Sequence, residues 1–261
     1  MRSTVSAIRS LTAFLAVSLY VLLIGAPFVA YALSIRDAAI LYNVGRFGVR
    51  IGLWLSGIRY HVEGAEHIQR HRAAVYAVNH ASNVEPPILF DALHELFPRL
   101  RILYKAELRK LPILVRGFDL AGFVPLERGN PEQSLPAIDG AAEALRAGAS
   151  FLIFPEGTRS RTGALLPFKK GGFIMAIQAQ VPIVPVAVQG GRAAMRKGSA
   201  IVRPVHVSVR IGEPIATAGL TLDDRDRLIE RVRTAIRALL DEGSLWEISH
   251  PNSQVPSPNV S

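Results

Sequence analysis

Between Ser10 and Ile35 the chain carries no charged residue, an unbroken stretch of 26 that includes Leu11, Phe14, Leu15, Val17, Leu19, Leu22, Leu23, Phe28 and Val29. A helix rises about 1.5 Å per residue, so this stretch spans about 39 Å against a bilayer hydrocarbon core of about 30 Å. Gly25-Ala26-Pro27 interrupts it near the middle. Proline removes a backbone donor there, so a kinked or tilted span, or a shallow re-entrant turn, is expected. A cleaved signal peptide competes, with Arg2 and Arg9 as its basic end and Ala30-Tyr31-Ala32 as an A-x-A site. The apolar stretch is long for a signal core, which favours an anchor.

From Ile40 to Ile58 the residues Leu41, Val44, Phe47, Ile51, Trp54, Leu55 and Ile58 recur at helical spacing, with Arg46 and Arg50 on another face. Trp54 and the arginines suit a helix at headgroup level, and a core helix of the following domain is the other reading. The domain boundaries expected are an anchoring region over 1–58, a folded domain over 59–249 and a disordered tail over 250–261, rich in Pro, Ser and Asn. Within the anchor, 10–35 is transmembrane or re-entrant and 40–58 is interfacial.

After Gly57 short β-rich runs alternate with helical stretches. Strands are expected at Arg59–Val62, Ala74–Val78, Ile102–Tyr104, Gly122–Pro125, Phe151–Phe154, Ile183–Val188 and Val205–Ile211. Several are continuous apolar runs, which suits strands covered on both faces. Helices are expected near Ile88–Phe97, Leu135–Ala147 and Gly172–Gln180, and a last one after a capping box at Thr221-Leu222-Asp223-Asp224, with Gly243 as its stop. The fold class is therefore α/β, a mainly parallel or mixed central sheet flanked by helices, with an N-terminal membrane-anchoring helical segment. Pro182 and Pro185 point to an edge or irregular strand whose free N–H groups face a ligand.

Cysteine is absent, which excludes a disulfide scaffold, a thiolate nucleophile and cysteine-ligated metal. The 30 basic and 21 acidic residues leave a charge of +9, fit for nucleic acid, anionic lipid or an acidic carrier. No nucleic-acid motif appears, and the basic residues are not interleaved with aromatics, so no nucleic-acid partner is expected.

Two constellations carry the chemistry. In the first, a strand ending at Val78 runs into Asn79-His80, and a helix begins at Pro86 or Pro87. His80 then sits at the carboxyl edge of the sheet, where open α/β sheets place their ligands. Glu85 lies five positions on, and the turn between can return its carboxylate to the imidazole, fixing the tautomer and stabilising the imidazolium. A lone histidine beside a turn is also a common structural residue. In the second, the strand from Phe151 enters a turn presenting Glu156, Gly157, Thr158, Arg159 and Arg161. An arginine fork with hydroxyl and backbone donors suits a phosphate monoester, although a solvated turn pairing its own charges has the same composition. Lys105 and Arg128 fall near the ends of two further strands.

In order and spacing these blocks resemble the glycerolipid acyltransferases, specifically the 1-acyl-sn-glycerol-3-phosphate acyltransferase family. Its N-H-x4-D block is matched by Asn79-His80 through Glu85, its second block by Gly122-Phe123 through Arg128, its F-P-E-G-T-R-S block at every position by Phe154 to Ser160, and its V-P-I-V-P-V strand by Val181 to Val186. The resemblance covers residues 60 to 215. It departs at Glu85, where the family usually has Asp; the extra methylene moves the carboxylate by about 1.5 Å, so the turn is reshaped or the contact with His80 is looser.

The resemblance implies acyl transfer from an acyl-CoA or acyl carrier protein thioester to a lysophospholipid hydroxyl, with 1-acyl-glycerol-3-phosphate as acceptor, or another lysolipid such as lyso-ornithine lipid. His80 is then the general base and Glu85 its orienting acid. Arg159, with Arg128 and Lys105, holds the acceptor's phosphate, while Glu156, Gly157 and Thr158 shape the acceptor site. Backbone N–H groups near Val184 are candidate oxyanion donors. No metal or redox cofactor is expected. The bilayer is a partner, and the implied location is a bacterial-type inner or plasma membrane with the catalytic domain on the cytoplasmic side. A membrane-tethered lipid-binding module without turnover is the alternative from outside enzymology.

Overall fold

The computed structural model describes residues 2–110, 112–126 and 131–249. Arg128 and the tail over 250–261 lie outside them.

The apolar run forms one continuous helical rod: α1 (Arg2–Tyr20), a π-helical turn (Val21–Gly25) and α2 (Ala26–Ile35). There is no re-entrant turn. Pro27 is absorbed where the Ala26 N–H reaches back to the Val21 carbonyl, a widened turn that accommodates the proline without breaking the helix. Val5–Ile35 is the one helix among the described residues long and apolar enough to cross a membrane. Leu11, Phe14, Leu15, Leu22 and Leu23 all stand exposed on it.

Helix α3 (Ala39–Ser56) serves both readings of its amphipathic pattern. Tyr42 and Leu53 are buried, while Phe47 and Trp54 are exposed. Gly48 and Gly52 let it approach α1 closely: a Cβ at 48 would lie 2.5 Å from the Tyr20 ring, and one at 52 would lie 3.1 Å from Val17.

The domain that follows holds a seven-stranded sheet. Its strands are β1 (Arg59–Glu63), β2 (Val75–Val78), β3 (Leu100–Lys105), β4 (Val124–Leu126), β5 (Ser150–Ile153), β6 (Ile183–Gln189) and β7 (His206–Ile211), in the spatial order β1-β7-β6-β2-β5-β3-β4. Each coincides with an expected strand to within two residues at either end. β2 to β6 run parallel to one another, and β1 and β7 run the opposite way. The sheet is covered on both faces, as the continuous apolar runs require. Tyr76 and Val78 of β2 pack into the core beside α3 and α4 (Glu85–Ala92), and Val75 and Ala77 pack on the opposite side beside α6 (Pro131–Arg146), α7 (Gly171–Ala179) and α9 (Arg225–Ser249). Burying each large aliphatic or aromatic side chain contributes roughly 1.5–3 kcal/mol, so these two half-cores hold the sheet edges in register.

Four expectations are corrected. β6 is an interior strand between β7 and β2, not an edge. Pro185 is tolerated because its carbonyl, accepting from the Gly212 N–H at 2.8 Å, faces β7 just beyond that strand's end at Ile211, so its missing N–H interrupts no ladder bond. Helix α4 begins at Glu85, one residue before the prolines, and gives way to a 3₁₀ turn at His94–Leu96 instead of running on to Phe97. Gly243 lies inside α9, since one glycine disfavours a helix by only about 1 kcal/mol. Helices α5 (Pro112–Leu120) and α8 (Gly191–Ala194) were not anticipated. The capping box at Thr221 is present, with the Thr221 N–H donating to Asp224 Oδ2 at 2.9 Å.

Candidate active site

Register brings the two motifs together. β2 and β5 are parallel neighbours with Ala77 opposite Ile153, so three residues further along both chains His80 comes to lie opposite Glu156. The His80 N–H donates to Glu156 Oε1 at 2.7 Å, and the Ser160 N–H donates to the His80 carbonyl at 2.7 Å. On the other side, Asn79 extends the β2–β6 ladder with its side chain. Its Nδ2 donates to the Val188 carbonyl at 3.0 Å and its Oδ1 accepts from the Val188 N–H at 2.7 Å. The histidine is thus fixed through its backbone before its side chain makes any contact.

The side chain then meets Glu85. His80 Nδ1 lies 2.8 Å from Glu85 Oε2, which also accepts the Ala81 N–H at 2.9 Å. Glu85 is fully buried and His80 partly so. The Phe154 ring lies 4.2 Å from the imidazole, centroid to centroid, and limits its rotation. With Nδ1 engaged by the carboxylate, Nε2 is the nitrogen available to take a proton. The contact is not loosened by the longer acid.

Glu156 shapes the site from beneath. Both its oxygens are committed to backbone donors, Oε1 to His80 and Oε2 to the Leu166 N–H at 3.0 Å, and its side chain is buried. Burial raises its pKa above the ordinary 4.5 against the opposing effect of those hydrogen bonds. A raised value means that the folded protein binds this proton more tightly than the unfolded chain. The resulting stabilisation is complete below 4.5 and is lost as pH rises through the raised value. Glu156→Gln, which leaves one backbone donor unpaired, is expected to cost about 1–3 kcal/mol. By thermal unfolding, the stability gap between wild type and this variant should be wider at about pH 4 than at about pH 8; a gap that widens with pH contradicts the assignment.

Gly157 has φ +67° and closes the turn with its N–H on the Phe154 carbonyl at 3.0 Å, a conformation that favours glycine. Thr158 is exposed and Arg159 half-buried on the same turn, immediately before the Ser160 that bonds His80. Lys197, which the sequence reading missed, props this turn: its Nζ donates to Thr158 Oγ1 and to the Arg159 carbonyl, each at 3.0 Å. It lies in a segment without periodicity, so no local signal marks it.

Lys105 ends β3, two strands from β2 or about 10 Å across the sheet, and pairs with Glu107 at 2.7 Å. Val184 is not brought to the site. It is fully buried opposite Tyr76 in the middle of the sheet, four rows below the position opposite His80, so its N–H belongs to the strand ladder.

The acyltransferase family model matches residues 59–189, which contain both motifs and the β2, β5 and β6 strands that carry them. The chain belongs to the acyltransferase family. It is 36% identical over 182 residues to a 1-acyl-sn-glycerol-3-phosphate acyltransferase of Limnanthes douglasii, across 69% of this chain and 63% of that protein. It is 32% identical over 190 residues to 1-acyl-sn-glycerol-3-phosphate acyltransferase alpha of Homo sapiens, across 72% of this chain and 66% of that one. The match therefore spans a little under two thirds of the length of these curated relatives. The crystal structure of PlsC from Thermotoga maritima, a 1-acyl-sn-glycerophosphate acyltransferase, superposes with a TM-score of 0.77 at 25% identity, over 93% of this chain and 98% of that one. In this acyltransferase strands β1 to β6 all lie within the residues that the family model matches.

Proposed function

We propose that the protein transfers a fatty acyl group from an acyl-CoA or acyl carrier protein thioester to the free hydroxyl of 1-acyl-glycerol-3-phosphate, forming phosphatidic acid. The observation that carries this reading is the His80–Glu85 pair, held at the carboxyl edge of the sheet beside the turn of Arg159. The names of its relatives, 1-acyl-sn-glycerol-3-phosphate acyltransferases, support this choice of acceptor. His80 Nε2 removes the hydroxyl proton as the oxygen attacks the thioester carbonyl. The carbon–sulfur bond then breaks, and the imidazolium returns the proton to the departing thiolate, leaving an ester and a free thiol. Glu85 keeps the ring oriented and stabilises its charge at the intermediate stage. The two motifs need no metal for this exchange.

Location follows from the substrate. A lysolipid stays in its leaflet, so an enzyme held there by the Val5–Ile35 rod reaches the acceptor without extracting it. The exposed leucines and phenylalanines of that rod suit the hydrocarbon layer, and the net charge of +9 suits an anionic headgroup surface on the side where the catalytic domain lies.

A panel of acceptors against both thioester donors tests the reading. Arg159→Ala is expected to raise KM for a phosphate-bearing acceptor by about 10–100-fold, the value of a hydrogen-bonded charge, and to leave KM for lyso-ornithine lipid unchanged. Equal effects on both acceptors would remove the phosphate from the proposal.

A further inference from the structure

Glu85 fits where it does because of a residue more than a hundred positions away. At Gly190, where β6 turns into α8, φ is +90° and a Cβ would lie 2.6 Å from the His206 carbonyl oxygen, so backbone geometry alone accounts for that glycine. Gly191 is different. It is the first residue of α8 and its φ is not positive, a setting in which alanine is ordinarily preferred over glycine. What fills the place of its side chain is the Glu85 carboxylate: a Cβ at 191 would lie 2.7 Å from Oε1, 3.0 Å from Cγ and 3.2 Å from Cδ. Real carbon–oxygen contacts do not come so close. The carboxylate cannot swing aside either, since it is buried and held by the His80 ring and the Ala81 N–H.

We propose that Gly191 is a positioning residue that sizes the site for a glutamate at 85, the bare α-carbon making the room that the extra methylene of Glu85 occupies. This rests on the proposed role of the His80–Glu85 pair. The two positions then form one volume. Adding a methyl group at 191 and removing a methylene at 85 exchange the same amount of matter across the same gap, the kind of swap that packed interiors tolerate.

The test is a cycle of wild type, Gly191→Ala, Glu85→Asp and the double variant in the full chain. Acyl transfer is assayed from oleoyl-CoA and oleoyl acyl carrier protein to 1-oleoyl-glycerol-3-phosphate, with unfolding midpoints measured alongside. Gly191→Ala alone is expected to lower kcat by about 10–100-fold with KM nearly unchanged, because a displacement approaching 1 Å in the base's partner is costly. Adding Glu85→Asp to Gly191→Ala is expected to raise kcat by about tenfold or more, whereas the same change lowers it in wild type. A Gly191→Ala variant with wild-type kcat, or a Glu85→Asp effect equal in both backgrounds, overturns the proposal. If Gly191→Ala fails to fold, Glu85→Ala/Gly191→Ala must fold, since the obstruction is gone; its failure is equally fatal. If wild type transfers no acyl group, the enzymatic reading falls by itself. The pairing is then judged by midpoints: stabilisation of Gly191→Ala by Glu85→Asp supports it, and none refutes it.

Discussion

His80→Ala is expected to lower kcat by about 10²–10⁴-fold, the usual contribution of a general base, with the acceptor's KM within about twofold of wild type. The imidazole is partly exposed and is clamped at Nδ1 by a buried acid, which leaves Nε2 for the substrate. Its backbone partners, Glu156 and Ser160, do not depend on the side chain, so the folded structure should survive the substitution. Radiolabelled transfer into membranes containing the variant, set beside its unfolding curve, is the measurement. A folded His80→Ala protein with wild-type kcat would falsify the mechanism and leave the membrane-tethered binding module as the reading to pursue.

The second large effect belongs to Glu85→Gln. The amide has nearly the same shape, so the close fit against Gly191 is kept, and the variant should still fold, with the midpoint lowered only by the several degrees that one mismatched buried hydrogen bond, about 1–3 kcal/mol, represents. The negative charge that stabilises the imidazolium is lost, and an NH₂ faces either the ring or the Ala81 N–H. A fall of about 10²–10⁴ in kcat is expected, as for neutralised acids in comparable triads. Glu85→Asp keeps the charge and should retain measurable activity below wild type. A glutamine variant as active as wild type would confine Glu85 to a packing role. A folded variant with a modest loss of stability and a loss of turnover far larger than that explains separates catalysis from scaffolding, since a purely structural acid would leave the folded fraction fully active.

Much of this was legible along the chain because its signals are local. Several strands show as short apolar runs, since burial on both faces of a sheet leaves mainly apolar residues fit for those positions, and all seven expected strands are present. The rod from Ser10 onward was visible in the absence of charge, and the His80 and Glu156 turns in their polar residues following such runs. The close return of Glu85 to His80 required only five residues of chain and a turn.

What the tertiary structure alone decided concerns neighbours distant in sequence. The place of β6 in the middle of the sheet depends on where β7 ends, which proline content cannot reveal. Val184 looked like a donor to a ligand until its partner strand was known. Glu156 read as an acceptor-site residue, yet both its oxygens are taken by the backbone of residues 80 and 166. Lys197 and Gly191 gave no signal, because each matters through an atom that arrives from a distant part of the chain. Hydrophobic periodicity records whether a residue is covered but not by what. The identity of the covering group is fixed only when strands separated by tens of residues pair and their loops close over one edge.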